Sequence, residues 1–388
     1  MIEKNYEKCF GCSVCEAVCA RGAIRMVPNS EGFLVPSIDE ALCTECRACQ
    51  KACIMEKPRS EGTFRAYAFV HGNPAVREAA TSGGAFSALS DIILEEGGTV
   101  FGVVYDEGFT ARHVRAETAA ERDAMMGSKY VQSDMGGILG SLLSDLSEGR
   151  SVLFTGTPCQ VDAVKSLCAH KRISTEKLTT LALVCHGVPS PMILRDHIAH
   201  LEAARGERVV TYYHRKKVRG WHEHNELAVF ESGKREYFTK RSQNFKDLFY
   251  GHYIVRPSCH SCPYAELPVT ADITVGDFWG IEDLFPERDD NRGTSIVLTA
   301  SERGDALLDR LRARGTVFPV VAEDALRFNH RKPVKPNPNR EAFWRDYEKH
   351  GFSYVARQYA KDSPAGRLKY YTRKLLRILL VKLRLKHL

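Results

Sequence analysis

Eight of the thirteen cysteines in this 388-residue chain fall into two runs, Cys9, Cys12, Cys15, Cys19 and Cys43, Cys46, Cys49, Cys53. Both runs have the spacing C-x2-C-x2-C-x3-C, the ligand pattern of paired 4Fe–4S clusters. A close triplet wraps three corners of a cubane and leaves backbone amides free to donate to its sulfurs. The fourth cysteine lies beyond that loop and ligates the other cluster. Cys9, Cys12, Cys15 and Cys53 are therefore assigned to one cluster, and Cys43, Cys46, Cys49 and Cys19 to the second. The crossover holds the clusters close together, which suits electron hopping. Zinc is the competing reading, but a four-cysteine zinc site is built from paired CxxC knuckles, not from two such compact runs.

Residues 1–60 thus read as a two-cluster ferredoxin module. Such modules combine short hairpins with short helices, and Ile24 to Val27 and Phe33 to Ile38 flank a Pro28–Gly32 turn as strand, turn and strand. The proline that usually follows the fourth cysteine is missing: Ala20 follows Cys19 and Ile54 follows Cys53. Ligation needs the thiolates and not the proline, so spacing carries the assignment. Arg47 and Lys51 beside the second run either raise its potential or are simply solvated.

Five cysteines remain. Cys159 ends one strand–turn, Cys185 ends the next predicted strand, and Cys259 and Cys262 form a CxxC before Pro263. These four could converge into a third cluster site; buried free cysteines, a zinc site or a redox dithiol at Cys259 and Cys262 are the alternatives. Cys168 falls within a predicted helix and reads as structural. Ser82, Gly83 and Gly84 open a helical stretch, where free amides hold phosphate or the polar edge of a flavin ring; alone, such a segment is more often a turn. Lys129 and Tyr130 follow a short helix. Thr155 and Gly156 stand at a strand end before a helix, where ligands gather in open α/β sheets. His214 to His222 mixes cations with Trp221, and reads either as a phosphate or carboxylate site or as a solvated hairpin end. Asp277 ends a strand in an acidic and aromatic turn, placed to meet a cofactor or merely to cap the turn.

The elements that must position these residues alternate. Strands are predicted at Arg65 to His71, Thr99 to Tyr105, Ser151 to Thr155, Leu178 to Cys185, Val209 to His214, Asp272 to Val275 and Thr294 to Thr299. Helices are predicted within Ala75 to Glu96 and at Gly137 to Ser147, Cys159 to Ala169, Met192 to Ala204 and Arg303 to Arg314. Alternation of this kind argues for a largely buried sheet with helices on it. Glu56 to Gly62 reads as a linker.

Taken in order, several segments resemble one family. They are Ser82 to Phe86, Gly127 to Ser133, Phe154 to Gln160, Cys185 to Ser190, Lys217 with Gly220 and Trp221, Arg256 to Cys262, and Asp272 to Gly280. The chain resembles the beta subunits of coenzyme F420-dependent hydrogenases and dehydrogenases, in the bacterial form with a fused two-cluster ferredoxin. The resemblance implies FAD in the α/β domain, with Ser82, Gly83, Gly84, Lys129, Tyr130, Thr155, Gly156 and Asp277 around it. It also implies a third 4Fe–4S cluster on Cys159, Cys185, Cys259 and Cys262. The expected architecture is α+β: the ferredoxin module over 1–60, a larger α/β flavin-binding domain over 63–345 and a basic helical tail over 346–388. The expected function is an iron–sulfur flavoprotein oxidoreductase. It would relay electrons from a low-potential donor such as ferredoxin through its clusters to FAD and on to a small-molecule acceptor, a deazaflavin among the candidates. His186 or Tyr130 would supply a proton or pack as a supporting residue. The alternative is an electron-transfer subunit of a larger redox complex with no substrate site of its own; a body of this size speaks for the enzyme.

The net charge of +7 is local. From Arg367 onward there are eight Lys or Arg and no acid, so the rest is within one charge of neutral. That distribution argues against nucleic acid. A basic amphipathic tail suits peripheral contact with an anionic membrane surface, or docking on the body or on a partner. No signal peptide is visible and no run of about 18 apolar residues occurs. A cytoplasmic protein is expected, peripheral to the inner membrane face if the tail binds there.

Overall fold

The computed structural model describes residues 6–55, 62–266, 271–329 and 332–372. Each cysteine triplet forms a loop that closes on a short helix, Val14–Ala17 after the first and Ala48–Ala52 after the second. Backbone in the left-handed region recurs at matching offsets: Gly11 and Ser13 in one loop, Glu45 and Arg47 in the other. Only Gly11 enters that region without a steric cost. Between the loops, β1 (Ile24–Pro28) and β2 (Leu34–Ile38) pair antiparallel, with Ile24 opposite Ile38 and Pro28 opposite Leu34. Their turn is fixed by the Asn29 side chain, which accepts from the N–H groups of Glu31 (3.1 Å) and Phe33 (2.9 Å).

The body is an eight-stranded sheet. Its strands are β3 (Arg65–His71), β4 (Thr99–Tyr105), β5 (Ala111–Ala116), β6 (Val152–Gly156), β7 (Leu178–Leu183), β11 (Ile273–Asp277), β12 (Ser295–Thr299) and β13 (Gly315–Pro319). They lie in the order β13-β3-β12-β11-β7-β6-β4-β5. The central strands β4, β6, β7 and β11 run parallel, and the flanking pairs are antiparallel. Every residue of β6 and β12 is buried, the signature of strands covered on both faces. Alternate residues divide between the layers. Val152 and Phe154 pack with the helices Leu139–Ser147 and Pro158–Lys171. Leu153 packs with the helices Ala85–Glu95 and Glu302–Leu311 on the other side.

A second, three-stranded sheet of β8 (Val209–Tyr213), β9 (Leu227–Phe230) and β10 (Arg235–Tyr237) stands apart in the order β10-β9-β8. It shares a core with the helices Pro191–Arg205, Asn244–Tyr250, Arg340–His350 and Phe352–Gln358. The expected boundary at 345/346 falls inside the helix Arg340–His350. Residues 364–372 are helical; the tail beyond them and most of the Glu56 to Gly62 linker lie outside the described residues.

The cysteine module is seated on the body. Val14, Val18, Ala52 and Ile54 share a buried cluster with Leu139, Leu142 and Leu167. Ser166 donates to the carbonyl of Ala52 (2.7 Å). Arg256, only 1% exposed, donates to the carbonyls of Cys9 (2.6 Å) and Leu34 (2.9 Å) and to the Gln132 side chain (2.7 Å). Arg340 makes a bidentate pair with Glu31. Charge-assisted bonds of this kind contribute about 1.5–3 kcal/mol each, and they fix the position of the module as well as holding it.

Candidate functional site

The first set of thiols is built from both runs. The Cys12 thiol is pushed up to about 12, first by burial and then by the neighbouring thiols Cys9, Cys53 and Cys159. Burial also raises Cys15, which senses Cys12, Cys9 and Cys53. Cys53, the last cysteine of the second run, therefore stands with the first triplet, where the crossover places it. Backbone amides turn toward sulfur: Gly11 N–H donates to Cys9 Sγ and Ala23 N–H to Cys19 Sγ, both at 3.3 Å. Cys46 is exposed and the other three thiols of the second set are half-buried.

Three separate elements deliver the next four cysteines. Cys159 is the second residue of the helix Pro158–Lys171, and its Sγ lies 3.2 Å from the Thr157 hydroxyl. Cys185 follows β7 and accepts from the N–H of Gly187 (3.4 Å). Cys259 and Cys262 lie on and just after the 3-10 turn Pro257–Ser261. Gly187 permits the meeting: its φ is +100°, and a Cβ there would stand 2.9 Å from Val255 Cγ1 and 3.2 Å from Cys259 Cβ. Burial raises Cys159 well above the usual thiol range, with Cys262, Cys185 and Cys259 adding to it. Cys185 is pushed up to about 12 and Cys259 to about 11, again mainly by burial. Cys168 is buried in the core and interacts with none of these thiols. Buried thiols held among other thiols make poor free nucleophiles, because each resists ionising. They fit a cationic iron–sulfide core, since a coordinating thiol is deprotonated outright. No three His, Cys, Asp or Glu among the described residues converge as the ligands of one ion would; a cubane, held at its corners, does not need them to.

The two sets adjoin. Cys12 senses Cys159, and Tyr264 senses both while its ring meets Phe10 edge-on at 5.5 Å.

Beside Cys185 lies a cavity of about 280 Å³. It opens beyond the carboxyl ends of β6, β7 and β11, the customary ligand position in such sheets. Ser82, Gly84, Lys129, Tyr130, Thr155, Gly156 and Asp277 line it, and so do Cys185 and His186. Gly83 stands behind the wall: its N–H donates to Ser295 Oγ (3.0 Å), and a Cβ would come within 2.3 Å of the Phe69 carbonyl. Several polar side chains are already committed. Thr155 donates to the Phe101 carbonyl (2.9 Å) and Ser82 to that of Thr294 (2.8 Å). Lys129 Nζ donates to the carbonyls of Met125 (2.8 Å), Met126 (3.0 Å) and Ala124 (3.3 Å), and burial, with no carboxylate partner among the described residues, pushes it down to about 7. Asp277 accepts from Arg215 and from Trp221 Nε1 (3.2 Å).

The cavity is therefore finished by backbone and rings. Gly84, at φ +90°, begins the helix Ala85–Glu95 with no side-chain cap, and Ala85, Phe86 and Ser87 of its first turn line the cavity. Trp279 stacks on Trp221 (4.8 Å, 7° between planes), and the Arg215 guanidinium lies 4.4 Å from the Trp279 ring centroid. His224, Phe249 and Tyr250 complete the lining, and sequence reasoning missed all three. His224 Nδ1 meets the Tyr250 hydroxyl (3.1 Å), while its buried Nε2 has no partner among the described residues. Burial, then Arg215 and Lys246, push this imidazole down to about 2, so it is neutral at physiological pH.

Paired cysteine loops seated on the helices of the body define an iron–sulfur electron-transfer protein of the two-cluster 4Fe–4S class. Residues 8–56 match the 4Fe–4S dicluster domain, and residues 149–319 match the family model for the C terminus of the coenzyme F420 hydrogenase/dehydrogenase beta subunit. Over these two stretches the chain is similar to the coenzyme F420 hydrogenase/dehydrogenase beta subunits, with a ferredoxin domain at its N-terminus. A subunit of the F(420)H(2) dehydrogenase of Methanosarcina mazei is 21% identical over 323 residues, 79% of this chain and 83% of that protein. A chain in a solved structure of the F420-reducing NiFe hydrogenase complex from Methanosarcina barkeri is 20% identical. The match covers 78% of this chain and 93% of that one, with a TM-score of 0.48. No described helix is long and apolar enough to cross a membrane.

Proposed function

We propose that this chain is an iron–sulfur flavoprotein oxidoreductase passing electrons from a low-potential protein donor, such as a ferredoxin, to a small-molecule acceptor at the cavity. The observation that carries this reading is the position of the third cysteine set: Cys159 adjoins Cys12 on one side, and Cys185 lines the cavity on the other. When bound, clusters carry single electrons and a flavin exchanges them for a two-electron transfer. Cys159, Cys185, Cys259 and Cys262 hold the third cluster in this reading, and FAD occupies the cavity. The amides that follow Gly84 bind the polar edge of a flavin ring. Trp279, fixed between Trp221 and Arg215, supplies a rigid flat wall. His224 offers an unprotonated imidazole nitrogen. Tyr130, whose phenol burial pushes upward, stays protonated and is a proton donor to the acceptor; His186 is the other candidate. A deazaflavin acceptor fits the family and is the first to try.

The Methanosarcina mazei relative is named as one subunit of a dehydrogenase. This favours, as a second reading, an electron-transfer subunit that works only with partner chains. The deciding experiment is anaerobic purification, acid release and chromatography of bound flavin. About one FAD per chain supports the enzyme. A protein that keeps its iron and sulfide but neither carries nor takes up FAD makes the electron-transfer role the better account.

A further inference from the structure

A second cavity, of about 240 Å³, lies at the edge of the small sheet, away from the cysteines. Five cations line it: Arg205 at the end of its helix, Arg235 on β10, Lys240 and Arg241 at the following turn, and Arg367 from the 364–372 helix. Three carboxylates answer them. Lys240 pairs with Asp247, and Arg367 Nε donates to Asp362 (2.7 Å). Glu236 accepts from the Thr239 hydroxyl (2.8 Å) but stands 3.9 Å from Arg205 and 4.0 Å from Arg241. Charge-assisted bonds run at about 2.7–2.9 Å, so Glu236 gathers these two guanidinium groups without satisfying them. Arg235 makes no ion pair among the described residues. The Nε of Arg241 is buried with no acceptor among them, and a donor left in that state is costly.

We propose that this pocket is a binding site for a phosphate monoester or diphosphate group. Two positive charges remain uncompensated, close to the −1.5 to −2 that a phosphate monoester carries near neutral pH. Guanidinium forks match phosphate geometry. Tyr237 and Tyr371 also line the pocket. Two sources of such a group are compatible with the chemistry: a soluble phosphate ester, or the headgroup of an anionic phospholipid. The second is in keeping with the six further Lys or Arg that follow Thr372. The proposal is independent of the redox reading, since it shares no residue with that cavity.

The test is calorimetric titration of the full anaerobic protein with inorganic pyrophosphate at low salt, for wild type, Arg235→Gln, Arg241→Gln and the control Arg312→Gln. Arg312 is exposed and lies outside the pocket. A parallel arm measures sedimentation with phosphatidylcholine vesicles with and without phosphatidic acid. One pyrophosphate per chain, weakened roughly tenfold by either pocket variant and unaffected by Arg312→Gln, establishes a soluble ligand. Silence with pyrophosphate, together with phosphatidic acid binding that the pocket variants lose and Arg312→Gln keeps, assigns the same site to a headgroup. Binding of neither probe, or equal loss in all three variants, overturns the proposal. Arg235 is exposed, so Arg235→Gln decides the matter alone should Arg241→Gln fail to fold.

Discussion

Gly187→Ala is the substitution that tests the third cysteine set most directly, because it replaces no cysteine. The residue sits at φ +100°, a region that strains any L side chain by about 1–3 kcal/mol. Its new methyl would meet Val255 Cγ1 at 2.9 Å and Cys259 Cβ at 3.2 Å, and overpacking of that kind costs about another 1–3 kcal/mol. The sum, about 2–6 kcal/mol, is relieved if the Cys185 loop withdraws from Cys259. Withdrawal breaks the set while leaving both N-terminal runs intact. The assay is iron and acid-labile sulfide on anaerobically reconstituted protein, with circular dichroism to confirm the fold. Wild type should hold about twelve irons for three clusters and the variant about eight. Gly233→Ala is the control: it has φ +78° in a hairpin turn with nothing within 4 Å of the added carbon, so it carries the backbone strain alone and should keep its iron. Undiminished iron in a folded Gly187→Ala protein would refute the reasoning, as would equal loss in both variants.

Cys9→Ser and Cys43→Ser should each remove about four irons and the matching visible absorbance; unchanged iron in both would remove the N-terminal assignment. Arg256→Met strips three acceptors of their donor at the module boundary and should destabilise the protein by about 1–3 kcal/mol for each acceptor left buried, seen as a lower melting temperature and faster proteolysis of the module. An unchanged melt would mean that packing alone seats it. Lys129 is expected to make stability depend on pH. Its folded value, about 7, lies below the ordinary 10.5, so between the two the unfolded chain holds the extra proton and stability rises with pH. The lysine's contribution, taken as wild type minus Lys129→Met, should therefore increase from about pH 7 to 10; a flat difference would show that the three carbonyls keep the ammonium charged.

The parts of the fold that could be read beforehand are those whose pattern is local. Strands such as β4 and β6 are runs of Val, Leu, Phe and Thr, and the helix from Pro158 announces itself with Thr157, Pro158 and Gln160, a capping box with proline in the first turn. What escaped depends on distant partners. Strand β5, Ala-Arg-His-Val-Arg-Ala, is half polar and exists because β4 pairs with it. The helix Arg340–His350 buries only Phe343 fully and reads as a charged tail, yet that ring lies in a core with Phe352 and Val355. In the site, the glycine loops and cysteines were visible as short motifs that lead to one cavity wall. His224, Phe249 and Tyr250 were not, because a lone histidine and two rings of a short helix carry no spacing that marks them. Nor does sequence disclose that Thr155 and Lys129 direct their polar atoms to backbone carbonyls.

The helix Pro158–Lys171 has a consequence for the direction of current. Its first turn carries Cys159, so its positive pole lies at the point where the inner cysteine set meets the outer one. An electron arriving there is favoured by about 0.3–1 kcal/mol, and by more where water is excluded. For a one-electron carrier that is roughly 10–40 mV. No such helix begins at the exposed second loop, whose own helix, Ala48–Ala52, is a single turn. In the reading proposed above, with a cluster on the inner cysteine set, this offset tilts the equilibrium so that an electron entering at the surface is favoured toward the cavity even if the clusters are otherwise alike.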